Sequence, residues 1–78
     1  MNLQMVDPLK QGAVIGILGG GQLGRMLAIA ASRMGFKTHI FEPEKNPPAS
    51  HVSDQLTTAS YEDNNALSKF AKSVDVIT

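Results

Sequence analysis

Ala13-Val14-Ile15-Gly16-Ile17-Leu18-Gly19-Gly20-Gly21-Gln22-Leu23-Gly24 is the stretch that decides the fold. Its first half is a continuous apolar run containing β-branched residues, and it stops at three successive glycines. A run without polar alternation suits a strand covered on both faces, as in a parallel sheet. Gly19, Gly21 and Gly24 fit the spacing G-x-G-x-x-G, a weak signal alone that gains weight from a buried strand before it and an apolar helix after it. That helix reads from Gln22 to Met34. Leu23, Leu27, Ala30 and Met34 form one apolar stripe along it. Met26 and Ile29 widen the apolar surface, while only Arg25, Ser32 and Arg33 are clearly polar. The surplus implies that the helix packs against more than the sheet, in a contact with further domains or a second copy. Gly35 stands where a left-handed residue would end it.

Outward from this core, Lys37-Thr38-His39-Ile40-Phe41 reads as a second strand ending at Glu42-Pro43. A polar loop to Gln55 contains a turn at Asn46-Pro47-Pro48 with one helical turn after it. Gln55–Ala59 is a short third strand. Glu62 or Asp63 caps a helix through Lys72 whose apolar face is Ala66, Leu67, Phe70 and Ala71. Val74–Thr78 begins a fourth strand. This succession is the first half of a doubly wound, Rossmann-like α/β fold, with a parallel sheet in the order 3-2-1-4. Right-handed crossovers would bring the loops after strands one, two and four to one rim. A sheet halting on its fourth strand implies an incomplete domain over residues 13–78, and residues 1–12 read as a mobile leader.

Composition excludes several classes. At 78 residues the chain is at most one small domain, burying only about 60–65% of its unfolded surface. Seven basic and seven acidic side chains balance, leaving no electrostatic footprint for nucleic acid or an anionic membrane. Cysteine is absent, so there is no disulfide framework or thiolate metal site. No apolar run has signal-peptide or membrane-span length, which points to a cytoplasmic protein.

The glycine loop carries the chemistry. Gly19 permits the tight turn, Gly21 the approach of a ligand to the backbone, and Gly24 close packing of helix on strand. First-turn N–H groups and the positive end of the helix dipole make an anion site suited to phosphate. The alternative is a tight turn without a ligand, but three consecutive glycines cost more backbone entropy than such a turn needs. Glu42 lies 21 residues after Gly21, where a dinucleotide-binding fold places the acid that holds a ribose hydroxyl. On spacing alone, half of an NAD(P)-binding domain of a dehydrogenase is therefore an alternative, and a nucleotide-sensing module without catalysis is another.

The residues themselves say more. Ile15 through Leu27, then Ala30-Ala31, Gly35-Phe36, Phe41-Glu42-Pro43, Pro48-Ala49, Val52-Ser53-Asp54 and Val74–Thr78, closely resemble the start of the 5-(carboxyamino)imidazole ribonucleotide synthase family. This family, the ATPase subunit of phosphoribosylaminoimidazole carboxylase, belongs to the ATP-grasp superfamily. Gly-Gly-Gly-Gln-Leu-Gly-Arg-Met is the most specific part, and the family's Tyr-Glu-Phe-Glu would follow Thr78. The resemblance implies a purine-biosynthesis ligase that uses ATP, magnesium and bicarbonate to carboxylate aminoimidazole ribonucleotide through carboxyphosphate, as a homodimer at full length. Its ATP-grasp lysines, acids and magnesium ligands lie outside this chain, which alone is expected to lack ATPase or ligase activity. A related formate-dependent glycinamide ribonucleotide transformylase has a similar loop with an acid where Gln22 stands. By that match Gln22 and Leu23, with Gly21 alongside, would contact the ribonucleotide, framed by Gly19, Gly20 and Gly24.

Other residues have plainer readings. Arg25, in the first helical turn, opposes the dipole and suits a surface ion pair or a neighbouring domain better than the anion. Glu42 could touch a ribose or an adjacent loop, and the resemblance implies a place on the rim rather than a nucleotide reader. His39 has no cysteine or nearby acid, so it reads as a strand residue facing a helix rather than a metal ligand. Ser50, His51 and Asp54 supply the residue types of a triad without an oxyanion hole. Lys69 and Lys72 with Glu62 and Asp63 form a solvated helix face. Met26 and Met34 read as core or interdomain packing.

Overall fold

The computed structural model describes residues 10–78. Most of the expected leader, residues 1–9, lies outside the described residues. Lys10–Gly12 form a turn in which the Gly12 N–H donates to the Gly35 carbonyl at 2.9 Å and that of Ala13 to the Lys10 carbonyl at 2.9 Å.

The elements follow in the order β1 (Val14–Leu18), α1 (Gln22–Arg33), β2 (Lys37–Glu42), a 3₁₀ segment (Pro48–Val52), β3 (Gln55–Thr58), α2 (Asn64–Ser73) and β4 (Val76–Ile77). The four strands form one sheet in the order β3-β2-β1-β4, and each neighbouring pair is parallel. The α/β fold class and the strand order are those the sequence implied. Register places Ile17 beside Ile40 and Gly16 beside His39, with Ile15 beside Val76.

Strand alternation divides the core in two. Ile17 and Ile40 point to one face, where they pack with Ala28 of α1 and Ala49 of the 3₁₀ segment, flanked by Ile15 and Val52. His39 and Phe41 point to the other face and meet Phe70 of α2, at ring separations of 4.9 and 5.3 Å. Gly16 makes that second layer possible. A Cβ there would lie 2.8 Å from the Phe70 ring and 2.9 Å from Val74.

Local signals account for the helix ends. The Gly35 N–H donates to the Ser32 carbonyl and the Phe36 N–H to the Ala31 carbonyl, both at 3.0 Å, and Gly35 has φ 88°. That is the full Schellman stop. Asp63 is the N-cap of α2, its Oδ1 accepting from the Ala66 N–H at 3.0 Å.

The packing of α1 corrects the sequence reading. Its buried residues are Gly24, Ala28 and Ala31, whereas the expected stripe faces outward, with Leu23 at 69% and Met34 at 60% exposure. Met26 is exposed as well, so neither methionine is core, and Ile29 is half-buried. The reason is spacing: the helix sits so close to β1 and the 3₁₀ segment that only small side chains fit between them. Ala71 of α2, expected on the apolar face, is likewise exposed.

Candidate functional site: the glycine loop on the strand rim

The loop between β1 and α1 lies at the carboxyl ends of the parallel strands, the rim where ligands bind in open α/β sheets. Gly19 carries φ 103°, a left-handed conformation that selects glycine. Its N–H donates to the Phe41 carbonyl at 2.8 Å, tying the turn to the end of β2. Gly24 is buried, and a Cβ on it would collide with the carbonyl oxygen of Gly19. The first turn of the helix therefore touches the backbone of the loop directly.

Gly20 is held on three sides. Its N–H donates to Glu42 Oε1 at 2.6 Å, and its carbonyl accepts from the Ala49 N–H at 2.9 Å. The Pro47 ring fills the space a Cβ would need, with Cβ 2.8 Å and Cγ 2.9 Å from it. The second oxygen of Glu42 accepts from the Glu44 N–H at 3.0 Å.

Gly21 is the opposite case. It is exposed, has nothing within 4 Å of a would-be Cβ, and serves as N-cap of α1 without a side-chain cap. The first intrahelical bond runs from the Arg25 N–H to the Gly21 carbonyl at 2.9 Å, so the N–H groups of Gly21, Gln22, Leu23 and Gly24 precede the helical ladder. No acidic residue stands in this first turn to neutralise the dipole. A cleft of about 360 Å³ opens here, lined by Leu18, Gly19, Gly21, Gln22, Leu23 and Leu27 among others. Gln22 and Leu23 are exposed, as is Arg25. The arrangement can hold an anion by backbone donors at a helix N-terminus.

Tyr61 joins this rim, although no motif in the sequence marks it. Its ring lies 5.5 Å from Phe41 at a 31° tilt, and its hydroxyl is 3.8 Å from where a Gly19 Cβ would be. Burial, with the Glu42 carboxylate second, raises the phenol above its ordinary value of 10.0. Pro47 was legible only as a turn residue. What places both is the parallel topology, which gathers chain-distant loops on one edge.

A larger cleft, about 680 Å³, lies between α2 and the β2–β3 face. Its deepest polar groups are already satisfied. Ser73 Oγ donates to the Phe70 carbonyl at 2.8 Å, so it accepts from His39 Nδ1 at 3.1 Å. Nε2 then accepts from Thr57 Oγ1 at 2.6 Å. Burial lowers the His39 pKa below 6.5, and the ring is a neutral packing element facing a helix, as its strand position implied. Ser50 Oγ donates to the Pro47 carbonyl at 2.7 Å and Asp54 Oδ2 accepts from the Thr38 N–H at 2.8 Å, so these two residues have separate structural tasks.

Residues 13–78 match the ribonucleotide synthetase preATP-grasp domain over their whole length. The chain belongs to this family. A bifunctional purine synthesis protein purC/E of Dictyostelium discoideum is 57% identical over 70 residues, covering 90% of this chain and 7% of its own. The N5-carboxyaminoimidazole ribonucleotide synthase of Brucella melitensis is 53% identical over 70 residues, again 90% of this chain and 19% of the relative. Among solved structures, N5-carboxyaminoimidazole synthetase from Staphylococcus aureus complexed with ADP superposes with a TM-score of 0.88 at 42% identity, covering 94% of this chain and 20% of that one. The preATP-grasp chain thus spans a fifth or less of these relatives. No described helix is long and apolar enough to cross a membrane.

Proposed function

We propose that this preATP-grasp domain binds the ribonucleotide of a ligase that carboxylates 5-aminoimidazole ribonucleotide with bicarbonate and ATP, giving the carboxyamino product, ADP and phosphate. In this reading a bond forms between the exocyclic amine nitrogen and the carbon of activated bicarbonate, and phosphate leaves. Gly21, Gln22 and Leu23 receive the substrate, their N–H groups and the Gln22 amide orienting it while Gly19, Gly20 and Gly24 hold the loop. Among the described residues no three metal-ligating side chains converge. ATP, magnesium and bicarbonate activation are assigned to parts of the parent protein outside this domain. The parent is read as a cytoplasmic homodimer without nucleic-acid or membrane partners.

The observation that carries the reading is the engagement of both Glu42 oxygens by backbone N–H groups. A dinucleotide reader aims that acid at the ribose; here each of its oxygens braces a backbone N–H, one of them in the glycine loop. The test is a titration of the parent protein with aminoimidazole ribonucleotide, NADH and NADPH. Saturable binding of the ribonucleotide alone is expected, with Gly21→Val abolishing it. Gln22→Ala should raise the apparent KM for the ribonucleotide about tenfold, the effect of losing one hydrogen bond to a charged group, and leave that for ATP unchanged. Saturable NADH binding that disappears in Gly21→Val would refute the reading.

A further inference from the structure

We infer that Glu42 is a positioning residue for the ribonucleotide, acting through Gly20 rather than by touching the ligand. The inference rests on the function proposed above and adds to it the part that aims the loop. A carboxylate beside an anion site opposes anion binding by like charge, so its presence there calls for a compensating task. The geometry supplies one. Oε1 accepts from Gly20 N at 2.6 Å, a short charge-assisted bond, and Oε2 accepts from Glu44 N at 3.0 Å. The carboxylate thereby bridges the end of β2 to the middle glycine of the loop.

The remaining contacts make Gly20 a fixed point. Its carbonyl is held by Ala49 N at 2.9 Å, and Pro47 closes the space beside its Cα. The next residue, Gly21, has open space around it and starts the run of unladdered N–H groups. Fixing Gly20 therefore sets the direction of the donors that follow, at a place where glycine's own backbone freedom would otherwise scatter them. Preorganised donors bind an anion without paying to order the loop.

Kinetics and amide exchange on the parent protein test this. Glu42→Ala should raise the KM for aminoimidazole ribonucleotide about tenfold while the KM for ATP and kcat stay within about twofold. Glu42→Gln, whose amide oxygen still accepts from Gly20 N while its NH2 group gives up the bond from the Glu44 N–H, should recover to within about threefold of the unmodified protein. Hydrogen exchange over residues 18–24 should show one protected amide lost in Glu42→Ala and kept in Glu42→Gln. An unchanged ribonucleotide KM, or equal rises for ribonucleotide and ATP, would overturn the inference. Should Glu42→Ala fail to fold, a Glu42→Gln protein with Gly20 exchange and ribonucleotide KM both near normal supports the brace, and one that loses the protected amide without a change in KM overturns it. Should the unmodified parent bind no ribonucleotide at all, the functional reading fails separately. The exchange result then judges the brace alone, with lost protection in Glu42→Ala supporting it and unchanged protection overturning it.

Discussion

Gly24 and Gly21 occupy equivalent-looking places in a sequence motif, yet the structure gives them opposite tasks, and a single methyl group separates the two. In Gly24→Ala the new Cβ is driven into the Gly19 carbonyl oxygen, with the Gly19 carbonyl carbon at 3.2 Å and Ala49 Cβ at 3.7 Å. Gly19 cannot retreat, because its N–H is bonded to Phe41 at 2.8 Å and Gly20 is bonded to Glu42 at 2.6 Å. Because the clash is with backbone that cannot give, the upper part of the overpacking range applies, about 2–3 kcal/mol, and the better helix propensity of alanine returns about 1 kcal/mol. A net loss of about 1–2 kcal/mol follows, or about 5–15 °C in Tm for a domain of this size. At Gly21 the same methyl meets nothing within 4 Å, and φ −76° with ψ −157° suits any residue. Gly21→Ala should therefore cost no more than about 0.5 kcal/mol, the poorer capping of alanine being offset by the stiffer unfolded chain, while crowding the space kept for the ligand. Circular-dichroism melts of the two variants beside the unmodified chain are the assay. A Gly24→Ala protein that melts with the unmodified chain, or a Gly21→Ala protein that loses as much as Gly24→Ala, would refute the division of labour.

Two further outcomes are expected. Asp63→Ala removes the acceptor for the Ala66 N–H and should cost about 1 kcal/mol in urea unfolding, with Asp63→Asn recovering most of it. His39 has a folded pKa below its ordinary 6.5, so the unfolded chain binds the proton more readily. Its contribution to stability is complete above about pH 6.5 and falls as pH drops toward the folded value. Asp63, Lys69 and Lys72 line the same cleft. Urea midpoints between about pH 5 and 8 should decline on the acid side, and His39→Gln should flatten that decline; an equal slope in both proteins would show that other groups are responsible.

The strand order was legible because its signals are local and agree with one another. An unalternating apolar run, a glycine stop and a second strand two residues after the expected helix end leave few topologies. The ends of α1 and α2 were equally plain, since Gly35 and Asp63 act within their own turns. The facing of α1 was not. Periodicity ranks a stripe by hydrophobicity, and Leu23, Leu27, Ala30 and Met34 outweigh Gly24, Ala28 and Ala31 on that scale. Burial here is decided by distance from the strand, which hydrophobicity does not measure. Glu42 shows the same limit at the site. Its position at the end of β2 was readable from spacing, but its acceptance from Gly20 depends on how the loop turns back, and no pattern in the residues encodes that.

The small face of α1 and the anion site are one arrangement. With Gly24, Ala28 and Ala31 turned inward, the helix approaches the sheet closely enough for Gly24 to touch the Gly19 backbone. Its first turn is thereby carried directly over the carboxyl end of β1. Larger inward residues would lift the axis away from the sheet and draw the N–H groups away from the rim. The dipole acts only within the first turn and weakens steeply with distance, so this closeness governs how much of it a ligand feels. The net charge of zero is compatible with anion binding for the same reason: attraction comes from aligned peptide groups at one point, and the chain needs no excess of lysine or arginine to supply it. Leu23 and Met26 are left on the outer side as the geometric counterpart of that close approach.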